Sequence, residues 1–157
     1  MPQRASIFLS HSSKDRRFVE RIARVLDAHK LSYWYSQRHI VGAQEWHDEI
    51  GKALARCNWF VLVLSPAATK SKWVKHELLY ALEHRPYKGH ILVLNLKKAK
   101  FKKLSWTLSQ FEWISFTRGF DRGCKAFLRT WRKTRRPSLN DSKVARAAME
   151  SNHQPAD

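Results

Sequence analysis

Glycine, cysteine and acidic side chains are scarce in this 157-residue sequence, which has five Gly, two Cys, and 13 Asp and Glu against 30 Lys and Arg. The shortage of glycine excludes sites in which the backbone must approach phosphate closely. The turn after the first apolar segment reads Ser10-His11-Ser12-Ser13-Lys14, so neither a glycine-rich dinucleotide fingerprint nor a phosphate-binding P-loop is present. Cys57 and Cys124 are too far apart for a zinc module and too few for a disulfide framework, so both are expected to be core thiols. No two of the eight His fall at metal-ligand spacing, and no metal site is expected. A magnesium-holding receiver would need carboxylates at strand ends, where this chain has Ser10, Tyr35-Ser36 and Ser65. Long hydrophobic runs are also missing. The longest, Trp59 to Leu64 and Ile91 to Leu94, fall well short of the about 20 residues that span a bilayer. The apolar stretch after Arg4 is too short for a secretory signal. A cytoplasmic location without a membrane span is the expectation.

What is present is enough for a folded domain. Hydrophobic residues make up 43% and aromatics 12% of the chain, more than a disordered chain of this length carries. A domain of this size buries roughly 70% of the surface its unfolded form exposes. The net charge of +17 is uneven, since residues 97–136 alone carry +11 and residues 137–157 carry −1. Short apolar runs alternate with amphipathic stretches, the pattern of a parallel α/β sheet. Strands are expected at Ala5 to Ser10, Leu31 to Tyr35, Trp59 to Leu64, Ile91 to Leu96 and near Phe111 to Phe116. Trp59 to Leu64 is continuously apolar, as a central strand covered on both faces requires. Helices are expected from Ser13 with Phe18, Ile22, Val25 and Leu26 inward, from about Glu45 with Trp46, Ile50, Ala53, Leu54 and Cys57 inward, and at Ser71 to Arg85. The last helix carries Phe120, Cys124, Phe127, Leu128 and Trp131 in register. Residues 1–136 are expected to form one domain, and residues 137–157, polar and aperiodic, a mobile tail.

The third helix is expected to bury Val74, Leu78, Ala81 and Leu82 and to carry Trp73, Glu77, Tyr80 and His84 on its other face. Four residues advance a helix by about 400°, so Trp73 and Glu77 stack near its N-terminal end. In a parallel α/β sheet the loops after the strands line the ligand crevice, which puts Glu77 beside it. On its own, such a Glu reads as a solvated helix residue.

Five blocks in order change that reading: Ile7-Phe8-Leu9-Ser10-His11-Ser12-Ser13-Lys14-Asp15, Tyr33-Trp34-Tyr35, Gly42, Val61-Leu62-Val63-Leu64-Ser65-Pro66, and Ser71-Lys72-Trp73 with Glu77-Leu78. Through them the chain resembles a Toll/interleukin receptor (TIR) domain of the compact bacterial type over about 130 residues. The resemblance implies a flavodoxin-like three-layer sandwich around a five-strand parallel sheet. It also implies an enzyme that cleaves NAD between nicotinamide and ribose, with NAD as substrate and no separate cofactor, in bacterial immune defence. The family's catalytic glutamate falls on Glu77, and an aromatic that stacks on the nucleotide falls on Trp73. Phe8 offers a second ring, Ser10 and His11 are substrate-contacting candidates, and Lys14, Arg16, Arg17 and Arg38 are candidates to face the pyrophosphate. The loop after strand two departs from the family pattern. It has Val41-Gly42 in place of Pro-Gly, and Ser36 where an Asp commonly follows the strand-two aromatic. Its Ile40, Val41 and Gly42 are the expected assembly loop, through which the domain meets other copies or other TIR domains. A non-catalytic TIR interaction module is the alternative. In either case a separate sensor or effector protein is an expected partner. The basic block, Lys97 to Lys103 and Arg129 to Arg136 interleaved with Phe101, Trp106 and Trp131, reads as a solvated face, and nucleic acid is disfavoured because the last helix repeats its aromatics at core spacing.

Overall fold

The computed structural model describes residues 4–36 and 43–135. Five strands, β1 (Ser6–Ser10), β2 (Ser32–Tyr35), β3 (Trp59–Leu64), β4 (Ile91–Asn95) and β5 (Glu112–Ser115), form one sheet in the order β2-β1-β3-β4-β5. Every pairing is parallel. The helices are α1 (Arg16–Ala28), α2 (Ala43–Arg56), the short α3 (Pro66–Thr69), α4 (Lys72–Glu83) and α5 (Phe120–Arg135). This is the expected flavodoxin-like order.

All six residues of β3 are buried, as a strand covered on both faces must be. Its side chains alternate, so Phe60, Leu62 and Leu64 join Phe8, Ile50, Ala53, Leu54, Val74, Leu78 and Ala81 in one core beneath α2 and α4. Ile7, Leu9, Val61 and Val63 point to the opposite face, where α1 supplies Val19, Ile22, Ala23 and Leu26. The turn before α5 docks there too. The ring of Phe18 meets Phe116 edge-on at 5.0 Å and Phe120 at 5.9 Å, and the Arg21 guanidinium lies 3.7 Å over Phe120. In α1 the buried stripe therefore starts one residue later than the expected Phe18 and Val25, both of which are half-buried.

Contacts divide the chain into two units, Met1–Cys124 and Lys125–Asp157, with the boundary inside α5. In the second unit Phe127 and Trp131 meet edge-on at 5.8 Å. Cys57 and Cys124 are both buried. Burial pushes the Cys57 thiol up, against a smaller lowering by the Ser6 hydroxyl, and pushes Cys124 up to about 11. Both remain protonated at neutral pH and are poor nucleophiles.

The expected start of strand two at Leu31 is displaced by the end of α1. The Leu31 N–H donates to the Leu26 carbonyl and the Lys30 N–H to the Asp27 carbonyl, each at 3.0 Å. These two bonds close a Schellman cap, which needs a left-handed residue, and Lys30 supplies it at φ 55°. A lysine holds that conformation at a cost that glycine avoids. Lys30→Gly is expected to raise stability by about 0.5–1 kcal/mol, read as a rise of a few degrees in Tm. An unchanged or lower Tm would show that the turn tolerates a Cβ without strain.

Candidate functional site

In this strand order the connection from β1 leads to β2 and the connection from β3 leads to β4, so a crevice opens between the carboxyl ends of β1 and β3. Ser10 ends β1 and Ser65 follows β3. Ser10 lies two residues beyond Phe8 and so on the same sheet face, where it sets a hydroxyl beneath α4 in place of another apolar group.

Helix α4 begins cleanly because the Ser71 hydroxyl accepts the Val74 N–H at 3.2 Å. Its buried residues are Val74, Glu77, Leu78 and Ala81. Glu77 therefore belongs to the inward stripe and is only 2% exposed, whereas the sequence placed it on the opposite face, and Leu82, expected inward, is half-buried. The physical reason is local: the Ser10 Oγ donates to the Glu77 Oε2 at 3.4 Å, and Ser10 is itself fully buried. A carboxyl group is tolerated under a helix when polar partners meet it. One turn earlier on α4, Trp73 is half-buried against the core and touches two imidazoles edge-on, His47 of α2 at 5.4 Å and His76 at 5.9 Å.

A second polar pair lies across the crevice. The Ser65 hydroxyl accepts the Ala68 N–H at 3.1 Å, capping α3, and donates to the Asp15 carboxylate. The sequence read Ser65-Pro66 only as the end of a strand. A Ser followed by Pro is equally a helix-start signal, but nothing in the sequence pairs it with Asp15, fifty positions away. Asp15 ends a 3-10 turn, Ser13–Asp15, capped by Ser12. His11 is 3% exposed with its ring edge-on to Tyr35 at 5.9 Å. Lys14 and Arg17 are exposed, and the Arg16 Nε donates to the Glu20 carboxylate at 2.8 Å. Ser13, Lys14, Arg16, Arg17 and Glu20 together line a shallow depression.

Of the sequence-predicted residues, the structure brings Ser10 and Glu77 into contact, with Trp73 one turn away. It corrects Phe8. That ring is fully buried, flanked by Trp34 at 5.2 Å and Phe60 at 5.7 Å on the neighbouring strands. It is part of an aromatic row across β2, β1 and β3 and offers no surface to a ligand. Arg38, Ile40, Val41 and Gly42 lie outside the described residues. Among the described residues, no group of three metal-ligating side chains occurs, and no helix is long and apolar enough to cross a membrane.

Two curated relatives match part of the chain. The "Probable 2' cyclic ADP-D-ribose synthase TcpO" of Methanobrevibacter olleyae is 33% identical over 72 residues, which is 45% of this chain and 21% of that protein. The "2' cyclic ADP-D-ribose synthase BtTIR" of Bacteroides thetaiotaomicron is 26% identical over 88 residues, 55% of this chain and 30% of that protein. The chain thus spans less than a third of the length of either. Among solved structures, the TIR domain of the Toll-related receptor TRR-2 from Hydra magnipapillata superposes with a TM-score of 0.59 at 16% identity, covering 82% of this chain and 93% of that one. A metazoan TIR-STING receptor from C. gigas, in complex with 2',3'-cGAMP, gives 0.59 at 21% identity, covering 74% and 36%. These likenesses agree with the observed strand order. The family profile described as "TIR domain" matches residues 7–129, most of the chain, and the chain belongs to the TIR-domain family.

Proposed function

We propose that this domain cleaves NAD at the bond between nicotinamide and ribose, with Glu77 as the catalytic carboxylate. The observation that carries the reading is a carboxyl group held at the carboxyl end of the sheet, 2% exposed and met by the Ser10 hydroxyl, one helical turn from Trp73. The two relatives named as cyclic ADP-ribose synthases support it. Nicotinamide in NAD is a cationic leaving group and departs neutral, so no general acid is required. Positive charge builds on the ribose as the bond breaks, and one anion close to it lowers the barrier. Water, or a hydroxyl of the same molecule, then closes the reaction, giving ADP-ribose or a cyclic isomer and releasing a proton. In this reading Ser10 positions the carboxylate, Trp73 offers a ring face to the substrate, and Lys14, with Arg38, neutralises the pyrophosphate.

Glu77 is nearly covered, so substrate reaches it only when neighbouring groups move apart. Self-association is the proposed trigger, with the 36–44 loop meeting the crevice of another copy. Nicotinamide release by purified protein is then expected to rise faster than linearly with protein concentration. Trp73→Ala is expected to raise KM more than it lowers kcat, because the ring binds but does not react. Mass spectrometry of the products separates linear from cyclic ADP-ribose. Absence of nicotinamide release at every concentration, or with a crowding agent, would favour the non-catalytic assembly module. That reading has one observation of its own: the burial of Glu77 suits a structural carboxyl group as well.

A further inference from the structure

The connector between β4 and β5 is not used by the proposed chemistry, and the core does not explain its outer surface. Between Asn95 and Glu112 it forms two 3-10 turns, Phe101–Lys103 and Trp106–Gln110. Leu104 and Leu108 are buried. Phe101 is half-buried and meets Trp113 of β5 edge-on at 5.2 Å. The Trp113 Nε1–H donates to the Leu108 carbonyl at 2.8 Å, and the Ser105 hydroxyl accepts the Thr107 N–H at 3.2 Å. These ties make the connector a fixed platform with its apolar side chains turned inward, and one large aromatic is left out. Trp106 is 66% exposed, while Trp131, grouped with it in the sequence, is 3% exposed. Core spacing accounts for Trp131 and not for Trp106. On the N-terminal side of Trp106 the same connector carries Lys97, Lys98, Lys100, Lys102 and Lys103, all exposed, and Glu112 is the only carboxylate between Asn95 and Arg118.

We propose that this connector binds single-stranded nucleic acid, with Trp106 stacking on a base and the lysines that precede it neutralising the adjoining phosphates. An exposed indole gives a flat face that any base can cover, and a run of basic residues leading to an aromatic platform tracks a phosphate backbone. Duplex is the poorer occupant, because the exposed face is a turn and presents neither a helix nor a β-ribbon to a groove. An acidic peptide would satisfy the lysines but leave the indole face unused. A membrane surface calls for an apolar face to bury, and the connector's apolar residues other than Trp106 are directed inward.

The test is fluorescence anisotropy of a labelled oligothymidylate of about 12 nucleotides, titrated with the full chain between about 50 and 200 mM salt. A chain of net charge +17 attracts any polyanion, so the variants decide. Trp106→Ala is expected to weaken binding by about tenfold with an unchanged salt slope, and Trp106→Phe to restore most of it. Replacing Lys100, Lys102 and Lys103 together by Gln should reduce the salt slope by about 2. Trp106 is exposed, so its variants should melt with the parent. Equal affinity of parent and Trp106→Ala would overturn the proposal, leaving only generic charge attraction. It would also be overturned if polyglutamate, duplex of the same length or vesicles of anionic lipid bound as tightly with the same dependence on Trp106.

Discussion

Glu77→Gln is expected to lower NAD cleavage by at least about a hundredfold, since it removes the negative charge and keeps the shape and a hydrogen-bond acceptor for Ser10. Stability should change little, because the amide fills the same space beneath α4, and the Tm is expected to stay within about 4 °C of the parent. Both readouts matter. A fall in activity accompanied by a large fall in Tm would report damage to the core, given that Glu77 is 2% exposed. A folded Glu77→Gln domain that still released nicotinamide at the parent rate would remove Glu77 from the chemistry. Ser10→Ala is the partner experiment. It leaves the carboxylate in place without its hydroxyl donor, so a partial loss is expected, felt mainly in kcat.

Phe8→Ala should have the largest effect on stability, a loss of about 3–5 kcal/mol, because a fully buried ring between Trp34 and Phe60 leaves a cavity that two neighbouring strands cannot close. For a domain of this size that is a drop of roughly 10–15 °C in Tm. Phe8→Leu separates packing from binding. It keeps most of the apolar volume, so it should lose about 1–2 kcal/mol and leave the KM for NAD unchanged. A Phe8→Leu variant with parental Tm and a tenfold higher KM would return Phe8 to the substrate.

The sheet was readable because its strands are short, apolar and separated by amphipathic helices, and β3 has the boundaries that its apolar run suggests. The boundary errors have local causes. Leu31 is drawn into the cap of α1 and not into β2, and Ser71 serves as a cap and not as the first helical residue. The 3-10 turns of the β4–β5 connector are each only three to five residues long, too short to carry a period that marks them as ordered. At the site, helical spacing correctly puts Trp73 and Glu77 one turn apart and Val74, Leu78 and Ala81 inward, but it sets Glu77 on the outer face. Val74, Leu78 and Ala81 define the inward stripe, and Glu77 falls between them. A carboxyl group was assigned outward by its polarity, and only the contact with Ser10, 67 positions away, reverses that assignment. The pairing of Ser65 with Asp15 was invisible for the same reason. Phe8 departs from expectation in the other direction, because a strand residue beside the crevice does not reveal from sequence whether its ring faces core or solvent.

The register of β1 has a consequence for the chain during its synthesis. Ser10 pairs across to Leu62 of β3, and its hydroxyl meets Glu77 on α4, so the two halves of the site are made 67 residues apart, the Ser10 half first. A ribosome that has released only the first strand–helix–strand unit presents β1 with one of its two neighbours and no carboxyl group above Ser10. The site closes only when the segment through Glu83 has emerged and α4 has docked. Under the proposed function every nascent chain up to that length is silent toward NAD, and a fragment stopping before α4 lacks the proposed carboxylate however well its first strands pair.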